Sequence, residues 1–94
     1  MKVDIQRVLV VAPHTDDAEL GMGATLCTLA QRRNTEIRIM ALSDCVESLP
    51  KGFAESALRD EAMQACVELG IPTDAVSIDS YPVRRFGEHR QDIL

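Results

Sequence analysis

The chain has 94 residues, which admits at most one small domain or a part of a larger one. Apolar residues make up 46% and charged residues 27%, an ordinary globular balance that excludes a disordered segment. Lys and Arg number 10 against 15 Asp and Glu, a net charge of −5, so phosphate backbones and anionic membranes are repelled on average.

The pattern alternates strand and helix. Arg7 to Ala12 is a continuous apolar run, as expected of a parallel strand covered on both faces. It stops at Pro13-His14. From Ala18 to Arg33, Leu20, Ala24, Cys27, Leu29 and Ala30 recur at helical spacing, with Asp16, Asp17 and Glu19 at the start and Arg32 and Arg33 at the end. Asn34 is suited to cap that helix. A second strand is expected over Glu36 to Leu42, and Ser43 to Gly52 reads as a loop. Ala54 to Leu69 places Ala57, Leu58, Glu61, Ala62, Ala65, Cys66 and Leu69 on one helical face, closed by Gly70. A short third strand, Val76 to Asp79, precedes Tyr81-Pro82, and a last helix begins near Gly87-Glu88. The order β-α-β-α-β-α predicts an α/β fold of the doubly wound kind, with a parallel sheet and right-handed crossovers. Three strands are half of such a sheet, so residues 1–94 are expected to be the N-terminal portion of a single larger domain.

Aromatic residues are 3% of the chain, with no Trp, so the core must be aliphatic and no platform for stacking bases exists. No apolar run is long enough to span a bilayer, and Met1-Lys2-Val3-Asp4 does not open a signal peptide. The three cysteines, Cys27, Cys45 and Cys66, are odd in number and widely spaced, which reads as reduced thiols in a cytoplasmic protein.

In an open parallel sheet, ligands bind beyond the carboxyl ends of the strands. There the first strand delivers Pro13-His14-Thr15-Asp16-Asp17-Ala18-Glu19-Leu20-Gly21-Met22-Gly23. An imidazole and two carboxylates within four residues suit a borderline divalent ion such as Zn²⁺, which takes about three protein ligands and a water when catalytic. Adjacent aspartates cannot easily face one ion, so one is expected to bind it and the other to take a proton from water. Gly21 and Gly23 would let the helix approach the strand, or a substrate approach the helix. The plainer alternative makes Asp16 or Asp17 an N-cap and His14 a loop histidine bonded to backbone.

Pro13-His14-Thr15-Asp16-Asp17 with Glu19, Gly21 and Gly23 closely resembles the signature of the PIG-L (LmbE-like) N-acetylglucosaminyl deacetylases. Leu58-Arg59-x-Glu61, Leu69-Gly70, Tyr81-Pro82-Val83-Arg84 and Arg90-Gln91-x-Ile93-Leu94 extend the likeness along the chain. The resemblance implies a Rossmann-like fold and zinc-dependent hydrolysis of the N-acetyl group of an N-acetylated amino-sugar conjugate, releasing acetate. It implies His14 and Asp17 as metal ligands and Asp16 as the general base. Thr15 stands where the family usually has Pro, and the family's third ligand, a later histidine, has no counterpart here. The chain alone is therefore expected to be nearly inactive.

Arg59 resembles a family arginine that contacts the sugar, and its planar fork suits hydroxyls and anions; a surface ion pair near Glu55 is the alternative. Asp44 and Arg84 follow the second and third strands at the ligand edge and are further candidate substrate contacts. The family often has Gly-Glu where Cys45-Val46 stands. Cys45 and His89 are weaker candidates as metal ligands. The competing function is a Mg²⁺-dependent nucleotide- or phosphate-binding module, or a non-catalytic fragment that pairs with another chain through its sheet edge. The aglycone and the oligomeric state, monomer or homo-oligomer, are not legible.

Overall fold

A computed structural model describes residues 5–94; the N-terminal Met1 to Asp4 stretch lies outside the described residues. Three strands, β1 (Arg7–Ala12), β2 (Glu36–Ala41) and β3 (Val76–Ile78), form a parallel sheet in the order β1-β2-β3. Helices α1 (Asp17–Ala30) and α2 (Ala57–Glu68) make the two crossovers, and a short α3 (Arg90–Ile93) follows a 3₁₀ turn at Phe86–His89. Register pairs Val8 with Ile37, Val10 with Ile39 and Ala12 with Ala41, so these small and branched side chains share one face. Ala41 in turn pairs with Ile78.

Both crossovers run in the same sense, so both helices fall on that one face. Val10, Ala12, Ile37 and Ile39 pack there with Ala18, Leu26 and Leu29 of α1 and with Cys66 and Ile71 from the α2 side. Leu26 is fully buried. A core of this kind stabilises at roughly 1.5–3 kcal/mol per large aliphatic side chain.

The other face carries Leu9 and Val11, 61% and 57% exposed. The run from Arg7 to Ala12 thus has the composition of a doubly covered strand, while the described residues cover one side of it. Among them, no helix is long and apolar enough to cross a membrane.

Three features of α1 depart from the sequence pattern. Met22 has φ −134° and ψ 15°, a kink between Gly21 and Gly23. Ala18, Leu26 and Leu29 are buried on one face of the helix, whereas Leu20, about 200° round from Ala18 at 3.6 residues per turn, is 78% exposed. The expected close approach at the glycines is also not found, since a Cβ at Gly21 or Gly23 would meet nothing within 4 Å. The helix ends at Ala30 with Gln31 as its cap, so Asn34 does not cap it and Arg32 and Arg33 lie beyond it.

The end of α2 follows its sequence signal. Gly70 has φ +89°, its N–H donates to Val67 O at 3.0 Å, and the Ile71 N–H donates to Cys66 O at 2.9 Å. This is the paired closure of a Schellman motif, with Ile71 buried against the core. Replacing Gly70 by Ala forces a β-carbon into the left-handed region and 3.4 Å from the Ala30 Cβ. Urea denaturation of Gly70→Ala is expected to show a loss of about 1–2 kcal/mol, whereas Gly21→Ala, in open space, should lose none.

Candidate active site

Three loops leave the carboxyl ends of the strands side by side. The Leu42 N–H donates to Ala12 O at 2.9 Å, the Asp79 N–H to Ala41 O at 2.8 Å, and the Tyr81 N–H to Leu42 O at 3.1 Å. Backbone bonds of the sheet thus continue past the strands and hold the loop roots in register.

The first loop folds on one carboxylate. Asp17 Oδ2 accepts the backbone N–H of His14 at 2.9 Å and lies 3.1 Å from His14 Nδ1. A three-residue turn that sets the backbone N–H and the ring Nδ1 of His14 against one oxygen brings imidazole and carboxylate together at the start of α1. There the helix dipole favours negative charge. The plainer alternatives for these residues do not describe this turn: Asp16 occupies the N-cap position of α1 but its side chain makes no cap hydrogen bond. His14 meets the Asp17 side chain. Asp16 is exposed and lines a cleft of about 440 Å³ together with His14, Thr15 and Glu19.

The far wall of that cleft comes from the other two loops and α2: Cys45 and Ser48, Val83 and Arg84, and Leu58, Glu61 and Ala62. Glu19 and Glu61 line the cleft too, outside the expected site set, although their places near helix N-termini beside the ligand edge are a usable signal. Phe86 lies 6.1 Å from the His14 ring, centroid to centroid. Cys45 (φ 58°) and Arg84 (φ 63°) are the non-glycine residues with left-handed backbone among those described. At Cys45 that conformation stands where the resemblance expects Gly, and the Cys45 N–H donates to the buried Ser43 Oγ at 3.1 Å.

The three candidate substrate contacts divide. Arg84 lines the cleft. Arg59 and Asp44 meet each other instead, Arg59 Nη2 donating to Asp44 Oδ2 at 3.4 Å, and they lie outside the cleft lining. Asp44 borders a neighbouring depression with Glu55, Ser80 and Tyr81. His89 packs on Tyr81, with ring centroids 5.7 Å apart. Among the described residues, no group of three or more His, Cys, Asp or Glu is placed to hold a metal.

The family model of PIG-L, GlcNAc-PI de-N-acetylase, matches residues 9–93. The chain belongs to the PIG-L family. Among solved structures, it is similar to N,N'-diacetylchitobiose deacetylase from Pyrococcus horikoshii complexed with its inhibitor MPG. The TM-score is 0.76 at 22% identity, over 96% of this chain and 36% of that one. At that identity the likeness is one of fold, and this PIG-L chain spans about a third of its neighbour's length, as the 36% coverage states. No curated protein matches it.

Behind the cleft, burial and the nearby charge of Glu19 push the Cys66 thiol up from its ordinary pKa. The neutral thiol is thus the form favoured by folding. Its contribution is full below the ordinary thiol range and is lost as pH rises through the raised value. Cys66→Ala should therefore flatten part of the alkaline fall in stability, measured by denaturation between about pH 8 and pH 11.

Proposed function

We propose that this chain carries the N-terminal part of the active site of a zinc-dependent N-deacetylase. Its substrate is an N-acetylglucosamine-type conjugate, and the products are acetate and the free amine. The observation that carries the proposal is the convergence of His14 Nδ1 and Asp17 Oδ2 at 3.1 Å, with the uncapped Asp16 carboxylate beside them in a cleft. Histidine nitrogen and carboxylate oxygen are both donors that zinc takes, and His14 and Asp17 would supply one of each. Imidazole nitrogen with carboxylate oxygen favours zinc over Mg²⁺, which prefers all-oxygen sites. That preference, together with family membership, counts against the nucleotide-binding alternative.

When bound, the metal supplies Lewis-acid activation of water and of the acetyl carbonyl. His14 and Asp17 would hold it, and a third donor is required beyond the two that the described residues bring together. Asp16 accepts the proton of the attacking water as the carbonyl carbon becomes tetrahedral. The C–N bond then breaks, the proton passes from Asp16 to the leaving amine, and acetate departs. Arg84 reaches the cleft from the β3 loop and donates to oxygens of the sugar or its appendage. Glu19 and Glu61 give the wall a negative cast that suits hydroxyl donors and the ammonium product.

In a deacetylation assay on an N-acetylglucosamine conjugate, Asp16→Asn is expected to lower kcat about 10²–10⁴-fold with zinc content unchanged. His14→Ala and Asp17→Ala should instead lose zinc. An Asp16→Asn protein as active as the parent would remove the assigned base, and wild-type zinc content in both ligand variants would remove the metal site.

A further inference from the structure

We infer that Arg59 is a positioning residue that acts through Asp44 and clamps two cleft-lining loops to the first turn of α2. Its guanidinium fork is committed on both branches. Nη1 donates to Ile78 O at 3.1 Å, at the carboxyl end of β3, and Nη2 donates to Asp44 Oδ2 at 3.4 Å. The same Oδ2 accepts from Ser80 Oγ at 2.8 Å, and Oδ1 accepts from the Val46 N–H at 3.4 Å. One carboxylate therefore gathers donors from α2, from the loop after β3 and from its own loop after β2. The Asp44 side chain is 14% exposed and that of Arg59 36%, so the pair is better shielded than an ordinary surface ion pair.

What the clamp holds is specific. The loop after β2 places Cys45 and Ser48 in the cleft, and the loop after β3 places Val83 and Arg84 there. Each loop also contains one left-handed non-glycine residue, Cys45 or Arg84. Such residues persist where surrounding contacts over-determine them, and the Asp44 hub supplies such contacts to both loops. His14, Asp16 and Asp17 sit on the turn after β1, which the clamp does not touch. Loss of the clamp should loosen the substrate wall and leave the proton-transfer groups in place.

Resting on the deacetylase reading, the kinetic test is a double-variant cycle in the full chain with Arg59→Gln and Asp44→Asn. Each single variant is expected to raise KM about tenfold with kcat held within about twofold, and the double variant to be no worse than the worse single. KM increases that multiply to about a hundredfold in the double variant would show two independent substrate contacts and overturn the clamp.

A second measurement needs no turnover: iodoacetamide labelling of Cys45 followed by peptide mass spectrometry, with folding checked by circular dichroism. Cys45 is 8% exposed. Folded Arg59→Gln and Asp44→Asn should label at Cys45 about tenfold faster than the parent, with Cys66 unchanged. Unchanged Cys45 labelling in both would overturn the proposal. Should either variant fail to fold, Ser80→Ala, which removes one donor from Asp44, must still quicken Cys45 labelling about two- to threefold. The labelling needs no turnover, so its result decides the clamp whether or not the deacetylase reading holds.

Discussion

One oxygen organises the site. Asp17 Oδ2 takes both the backbone N–H and the imidazole of His14. The turn between β1 and α1 thereby closes with the His14 imidazole and the Asp17 carboxylate, the proposed metal ligands, already side by side. A carboxylate at a helix start is favoured by the dipole, and a charge-assisted bond to it is stronger than a neutral one. The same interaction that shapes the turn leaves Asp16, its neighbour, without a capping task. Structure and chemistry divide between two adjacent aspartates because consecutive side chains at a helix start cannot point the same way.

Around that turn, the fold contributes through direction rather than bulk. Parallel strands deliver all three loops to one edge, and the sheet's hydrogen bonds run on to Leu42, Asp79 and Tyr81, fixing the spacing of the loop roots. Placing both helices on one face buries an aliphatic core on that side. It leaves Leu9 and Val11 on the other. The apolar character of β1 is thus greater than the described residues require, as expected of a sheet composed to be covered twice.

Much of this was legible in the chain itself. Period and composition give the three strands and the two long helices to within about three residues, and Gly70 announces its Schellman closure. The PIG-L signature marks His14, Asp16 and Asp17, whose local spacing is enough to bring the first and last together. The kink at Met22 was not legible, because two glycines permit such a bend without requiring it. Nor was the pairing of Asp44 with Arg59, 15 residues apart in sequence, which depends on how α2 crosses the sheet. Fork chemistry in Arg59 fits a sugar and a carboxylate equally well, so residue type alone could not choose between them. Glu19 and Glu61 belong to the segments that resemble the family, but their place in the cleft was not legible, because an acidic residue early in a helix is explained by the dipole before any cleft is known.

Two histidines in the chain make the central claim directly observable. The measurement is the ¹⁵N–¹H imidazole spectrum during titration with Zn²⁺ to saturation. The account predicts that the His14 ring signals move, with the largest change at Nδ1, while those of His89 stay in place. Movement of His89 alone, or no movement of His14 at saturating Zn²⁺, would contradict it.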